Sequence, residues 1–399
     1  MIWNLESVTG GNSKYADMED PIAPTLVHST ELKDRPWEAG SPDRIVGYDF
    51  ARALAILGMI IVHFSLVMSI QNLRPGWLAR FTNFFDGRAA ATFVVLAGAG
   101  LSLRSTRAAS QADAGGLSRT RRILFKRGLF LLAIGFINLI IWPGDILRVY
   151  GISICLAACL LTASNRSLWL ISLSFILGFV ALLCIVDFEK NWNWATLTYH
   201  NLWTPAGLFR NLFYDGFRSV FPWTALLFIG MWLGRQDLKN PSVSKRLFLC
   251  GAGAALLSGI ASRSLLLYFH KHPSGMDSET ITALFGTDSI PPLPLFLISA
   301  VGVAVAVIAL SNLFCERLPS NFLVRCLVPT GQMAFTWYVA HILIGLGGLA
   351  LIGLTERQPL WLAIGCAFGF FSFAVLLSSL WKSKFKHGPL EWLMRRLTG

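Results

Sequence analysis

The sequence predicts an all-α, polytopic membrane protein: a bundle of about ten transmembrane helices with both termini in the cytoplasm. Three observations carry this expectation. Of 399 residues, 54% are hydrophobic and 14% charged, with a mean hydropathy of +0.57, whereas a soluble domain carries about a quarter charged residues. Apolar runs recur from Ile45 to Trp381; in lipid each must satisfy its own backbone amides, so they are helices. Lysines and arginines gather in alternate connections, which sets an orientation.

The expected spans are 45–70, 86–103, 127–142, 146–163, 168–186, 219–234, 247–269, 291–314, 327–352 and 359–381. Residues 1–43 mix acids, Pro, Gly and Ser without an apolar core. They read as a disordered cytoplasmic tail with no cleavable signal, or as holding a short interfacial helix. The remainder divides into an N-terminal membrane half, 44–218, and a C-terminal half, 219–399.

Connection 104–126 carries Arg104, Arg107, Arg119, Arg121, Arg122 and Lys126 against Asp113. Connection 235–246 carries Arg235, Lys239, Lys245 and Arg246, and the C-terminal segment Lys382, Lys384, Lys386, Arg395 and Arg396. With ten spans all three fall on one face, which the positive-inside rule assigns to the cytoplasm of the inner (plasma) membrane. These connections account for the net charge of +12, so no nucleic-acid partner is implied. The seven cysteines show no metal-ligand spacing, so neither a metal nor a disulfide framework is expected. Connection 187–218 holds Trp192, Trp194, Trp203 and Tyr214 and suits the membrane interface. Connection 270–290 reads as an exposed cap, with His270 and His272 solvated. Two segments echo each other, FDGRAAATFVVLAGAGLSLR (85–104) and YDGFRSVFPWTALLFIGMWLGR (214–235).

Ionisable side chains inside a span cost at least ~2.5–3.5 kcal/mol each, so each is a functional candidate. In the first span, Asp49, Arg52 and His63 share a stripe, with Arg52 and His63 about 16 Å apart along the axis. Asp49 and Arg52 make an i,i+3 ion pair, or Arg52 is the fixed cation at a cytoplasmic mouth. His63 is a packed core histidine or a proton-handling imidazole. Asp86 and Arg88, Asp145 and Arg148, and Asp215 and Arg218 stand at outer ends of spans. They are local salt bridges that hold loops, or a polar rim that binds a hydroxyl-rich or amine acceptor. Tyr338 and His341 form a second buried polar patch, and Arg263 snorkels or pairs inward.

The Asp49, Arg52 and His63 pattern resembles the first span of transmembrane acyltransferases, and the ten residues between Arg52 and His63 match the acyltransferase-3 superfamily. FDGRAAATFVVLAGAGLSL (85–103) and FPWTALLFIGMWLGR (221–235) are similar to the heparan-α-glucosaminide N-acetyltransferase group. GDILRVYGI (144–152), GQMAFTWYVAHILIG (331–345) and HGPLEWLMRRLT (387–398) resemble the YeiB-like bacterial membrane proteins, whose C-terminal half is a domain of unknown function. The chain departs from these relatives at Ala53, where they have Gly. It also departs at His63 and Gln332, where YeiB-like chains have Asn and Arg.

The resemblance implies an acyltransferase that moves an acetyl or similar group from cytoplasmic acyl-CoA to an extracytoplasmic sugar or cell-envelope glycan. His63 would be general base or acyl carrier, with Asp86 and Arg88 orienting acceptor or imidazole. Arg52, with Asp49, would hold donor phosphate. Asp145, Arg148, Asp215, Arg218, Tyr338 and His341 would line the acceptor. Partners are then the lipid bilayer, acyl-CoA and the glycan, with a homodimer left open. The alternatives are a proton-coupled transporter using the same charges and a non-catalytic membrane partner.

Overall fold

Val46–Met68 forms one unbroken helix, α1, in a computed structural model that describes residues 44–69, 76–110, 115–194, 196–272 and 275–399. The expected tail 1–43 lies outside the described residues. Small residues (Gly47, Ala51, Ala53, Ala55, Gly58) alternate along α1 with Ile56, Met59, Ile60, Ile61 and Phe64, and nearly all are buried. A helix apolar all round belongs inside a bundle.

After α1 come α2 (Gly76–Phe85), α3 (Arg88–Ser110), α4 (Gly116–Leu139), α5 (Leu147–Cys159) and α6 (Asn165–Ile185). A small antiparallel hairpin follows, β1 (Trp192–Asn193) and β2 (Thr198–Tyr199), with Trp192 opposite Tyr199. Next come α7 (Pro205–Arg210), a π-helical turn Asn211–Asp215, α8 (Val220–Leu233), α9 (Pro241–Lys271), α10 (Ser278–Phe285) and α11 (Pro294–Arg317). The chain closes with α12 (Phe322–Gln332), α13 (Ala334–Ala340), a π-helical turn His341–Leu346, α14 (Gly347–Leu351), α15 (Leu360–Lys384) and α16 (Pro389–Thr398). Helix α1 packs on α3, α11, α12 and α15. Its best apolar window is 61% buried against 17% for α6 and α9, so α1 is the core and those two are peripheral.

Among the described residues seven helices are long and apolar enough to cross a membrane, or eight if the bent pair Pro205–Asp215 and Val220–Leu233 is one span. The chain is therefore a multi-pass helical membrane protein. Expected spans 127–142 and 146–163 overlap α4 and α5, although α4 starts well before 127 and α5 ends before 163. The first half of α4 carries five Arg and Lys, and α5 has 13 residues, so neither meets the same measure.

The structure differs from the sequence expectation in four places. Arg104, Arg119, Arg121, Arg122 and Lys126 lie on α3 and α4, because long cationic side chains are good helix formers. Trp192 and Tyr214 are buried, with Trp192 stacked on Trp194 at 4.5 Å and its Nε1 donating to the Asp215 carbonyl at 2.6 Å. The expected span 327–352 is broken at Met333, where α13 restarts. Its free amides at Phe335 and Thr336 donate to the Glu391 carboxylate of α16, at 2.8 and 3.0 Å. Arg263 is exposed and does not point inward.

The two echoed segments pack against each other as α3 and α8. A Cβ at Gly98 would overlap the Leu227 carbonyl, and one at Gly230 the Val95 carbonyl. Small residues that let backbones approach are how membrane helices associate without a hydrophobic drive between them. Gly230→Ala is expected to lower the thermal midpoint of the purified protein, at a cost of about 1–3 kcal/mol. Gly259→Ala is the control, because a Cβ there meets nothing within 4 Å, and it should leave the midpoint unchanged or slightly raised.

Candidate active site

Helical spacing brings His63 of α1 inward, three turns from Arg52. Its Nδ1 lies 2.8 Å from Nε2 of His341, and the two rings stack with centroids 5.0 Å apart. His341 is 0% exposed, while His63 keeps some exposure. Tyr338, one helical turn before His341, is also buried, and its hydroxyl accepts the Ile146 amide at 3.2 Å. The Trp142 ring lies 4.9 Å from that of His63, brought there by the Trp142-Pro143-Gly144 turn between α4 and α5. Met59, His63, Ala90, Gly144, Ile146, Phe217, Arg218 and Tyr338 enclose about 20 Å³, room for about one water. An imidazole, a phenol and a guanidinium thus converge on a space the size of one reacting group.

Two ion pairs stand behind this space, and of their four residues Arg218 lines it. Asp145 and Arg148 are each 0% exposed, with Arg148 Nε 3.5 Å from Asp145 Oδ2. Asn138 donates to Asp145 at 2.7 Å, and Arg148 Nη1 donates to Asn211 at 3.0 Å. This is the local i,i+3 pair expected from sequence. The other two acid–Arg couples part. Asp86 pairs with Arg218 at 3.7 Å and accepts from Ser289 at 2.9 Å. Arg88 turns instead to Ser299, 3.2 Å from both Nε and Nη2. Gly87 has φ +65°, and the left-handed turn it makes separates its two neighbours. Asp215 pairs with Arg210, five residues back, which is the spacing of the π-helical turn there. Tyr199 also donates to Asp215 at 2.8 Å, and burial pushes that hydroxyl up to about 12, so it remains a donor. Asp215 therefore anchors the β1–β2 hairpin and stands apart from Arg218.

At the other end of α1, Asp49 is buried between Arg52 Nη1 at 2.5 Å and Arg44 Nε at 2.7 Å. The i,i+3 pair forms, and Arg52 remains 27% exposed. Tyr48 and Tyr150 lie within electrostatic reach of Arg52. From Tyr150 an aromatic path leads inward: Phe93 meets Tyr150 at 5.7 Å and Tyr338 at 6.5 Å. A larger cavity of about 320 Å³ lies at the start of α1, lined by Arg44, Gly47, Lys239, Asn312 and Glu316 among others. It has cations but no histidine, so it could bind an anion but supplies no imidazole base.

The structure thus gathers His63, Tyr338, His341 and Arg218, with Asp86, Asp145 and Arg148 behind them. It holds Arg52 and Asp49 at the far end of α1, and sets Asp215 and Arg88 to the side. Sequence reasoning missed Trp142, Asn138, Asn211, Ser289 and Ser299. The available signal was a Trp-Pro-Gly turn and isolated asparagines in apolar surroundings. Among the described residues no three His, Cys, Asp or Glu could hold a metal.

The model of the family described as heparan-alpha-glucosaminide N-acetyltransferase, catalytic, matches residues 44–273. That of the protein of unknown function DUF418 matches 233–399. The uncharacterized protein YeiB of Escherichia coli (strain K12) is 26% identical over 408 residues, covering 89% of this chain and 96% of its own. An uncharacterized 39.9 kDa protein in the amylase 3′ region of Bacillus acidopullulyticus is 24% identical, over 89% of this chain and 94% of its own. No solved structure matches the chain.

Removing one partner of a fully buried pair leaves an uncompensated charge, so Asp145→Leu or Arg148→Leu should lose about 3–5 kcal/mol of stability. Asp86 has a side chain 42% exposed. Asp86→Asn should leave the thermal midpoint nearly intact while lowering turnover. Thermal melts of the three variants side by side check this.

Proposed function

The chain belongs to the heparan-alpha-glucosaminide N-acetyltransferase catalytic family, and from that premise we propose a membrane acyltransferase in the inner membrane. It takes an acetyl or similar group from cytoplasmic acyl-CoA and delivers it to a sugar or cell-envelope glycan at the outer face. The observation that carries this reading is His63 meeting Tyr338 and Arg218 at one small cavity, with Arg52 at the other end of the same helix.

The site supports one sequence of events. The acceptor hydroxyl or amine attacks the thioester carbonyl as His63 takes its proton. Tyr338, whose oxygen already accepts the Ile146 amide, has its own hydrogen to donate to the oxyanion, and Arg218 adds positive charge. The carbon–sulfur bond then breaks, and the imidazolium returns the proton to the leaving thiolate. Attack by His63 itself, passing through an acyl-imidazole, is the variant of this step. Asp86 holds Arg218, and Asp145 with Arg148 walls the acceptor side. Arg52 holds a donor phosphate. The distance from Arg52 to His63, about 16 Å along the helix, suits an extended pantetheine arm.

Ten spans with both termini in the cytoplasm fit this direction. Arg104, Arg127 and Arg395 come from three parts of the chain, yet lie within electrostatic reach of one another. Lys382 is likewise near Arg44 and Asp49. The basic connections therefore share the end of the bundle that bears Arg52, which the positive-inside rule makes cytoplasmic. The bent pair Pro205–Asp215 and Val220–Leu233, at 46°, favours the transporter alternative, because transporters use discontinuous helices.

Purified protein in nanodiscs, supplied with acetyl-CoA and glucosamine, decides between them. His63→Ala should leave acetyl-CoA binding intact and lower kcat by about 10²–10⁴-fold. Arg52→Ala should raise KM for acetyl-CoA, and Arg52→Lys should rescue poorly, because a point charge cannot grip two phosphate oxygens as a planar guanidinium does. Wild-type turnover by His63→Asn, or no acetyl-CoA-dependent signal in any form, would leave the transporter reading in place.

A further inference from the structure

Hydrogen-bond directions within the histidine pair follow from one carbonyl. His341 Nδ1 lies 3.1 Å from the Trp337 carbonyl oxygen. A carbonyl only accepts, so Nδ1 carries the hydrogen. A neutral imidazole has one N–H, so Nε2 of His341 presents a lone pair. His63 Nδ1 lies 2.8 Å from that lone pair, so it too carries its hydrogen and donates. The nitrogen of His63 left bare is Nε2. His63 lines the central cavity beside Arg218 and Tyr338, so the bare nitrogen is the one able to take a proton there.

The backbone around His341 is built for this contact. The residue opens the π-helical turn His341–Leu346, whose wider helical turn re-aims the side chains it carries. Gly345 in that turn lies against Phe64, the neighbour of His63, so closely that a Cβ would come within 2.8 Å of the ring. The turn is thus seated on α1 at the level of His63. Trp337, Tyr338 and His341 all fall in the 233–399 match and outside the 44–273 acetyltransferase match.

We infer that His341 is a positioning residue: it fixes His63 in the Nδ1–H tautomer, so that Nε2 is the base, and makes the C-terminal domain of unknown function part of the active site. The inference rests on the reading of His63 as general base. During transfer the proton of the acceptor hydroxyl or amine passes to His63 Nε2 as the new carbon–oxygen or carbon–nitrogen bond forms. It passes on to the CoA sulfur as the carbon–sulfur bond breaks. The Nδ1–H bond to His341 persists throughout and no proton moves to His341, whose task is to steady the imidazolium.

Gln and Asn at position 341 separate this role from packing. Glutamine carries its carbonyl oxygen about as far as Nε2 stood, where it can accept from His63. Asparagine reaches only as far as Nδ1, so it can keep the Trp337 contact but not the one to His63. With acetyl-CoA and glucosamine as probes, His341→Asn and His341→Leu should lower kcat by about 10–100-fold with KM for acetyl-CoA unchanged. His341→Gln should recover most of the turnover. If His341→Leu fails to fold, the Gln and Asn pair carries the comparison. Equal turnover by Gln and Asn, wild-type turnover by all three, or a change confined to KM would overturn the inference. With His63→Ala inactive in parallel, such a result leaves the acyltransferase reading standing. If His63→Ala itself keeps the transfer, that reading falls and the positioning role falls with it.

Discussion

Helix α1 places Asp49, Arg52 and His63 inside a helical bundle, where an ionisable group without a partner is costly. Much of the surrounding fold answers that constraint. Arg44 and Arg52 close on Asp49 from the two sides. The broken segment α12–α13 brings His341 to His63, and the Glu391 cap holds α13 where that contact forms. The Trp142 turn between α4 and α5 closes the other side of the imidazole and carries Asp145 with it. The neighbours of α1 fix both ends of a stripe about 16 Å long.

The two echoed segments serve the same end. They pack as α3 and α8 through glycines, and the acid of the first motif takes the arginine of the second, Asp86 to Arg218. Arg218, so paired, lines the cavity together with His63 and Tyr338. The same exchange sends Asp215 to the β1–β2 hairpin, where it is structural. The candidate site draws residues from both matched regions of the chain.

Features governed by helical periodicity were legible in the sequence. The α1 stripe, the i,i+3 pairs Asp49–Arg52 and Asp145–Arg148, and the Tyr338–His341 couple all follow from 3.6 residues per turn. Features governed by tertiary contact were not. Nothing in the spacing of Asp86 and Arg88 says that a left-handed Gly87 sends them to different partners. Sequence spacing sets Asp215 beside Arg218, because a π-helical turn does not announce itself in a short polar stretch. The His63–His341 contact joins residues 278 apart, and sequence distance carries no information about it. The basic residues at 104–126 look like a loop in the sequence because their charge masks their high helix propensity.

In the proposed reaction one donor path runs along α1, from Arg52 to His63. Cryo-electron microscopy of the full chain in nanodiscs, with a non-hydrolysable acetyl-CoA analogue bound, tests it directly. The account predicts density for phosphate at Arg52, an arm passing Tyr150, Phe93 and Tyr338, and the acyl carbonyl within hydrogen-bond distance of Tyr338 and beside His63 Nε2. Density that leaves Arg52 empty, or that ends in the cavity lined by Arg44 and Lys239 without approaching His63, would contradict it.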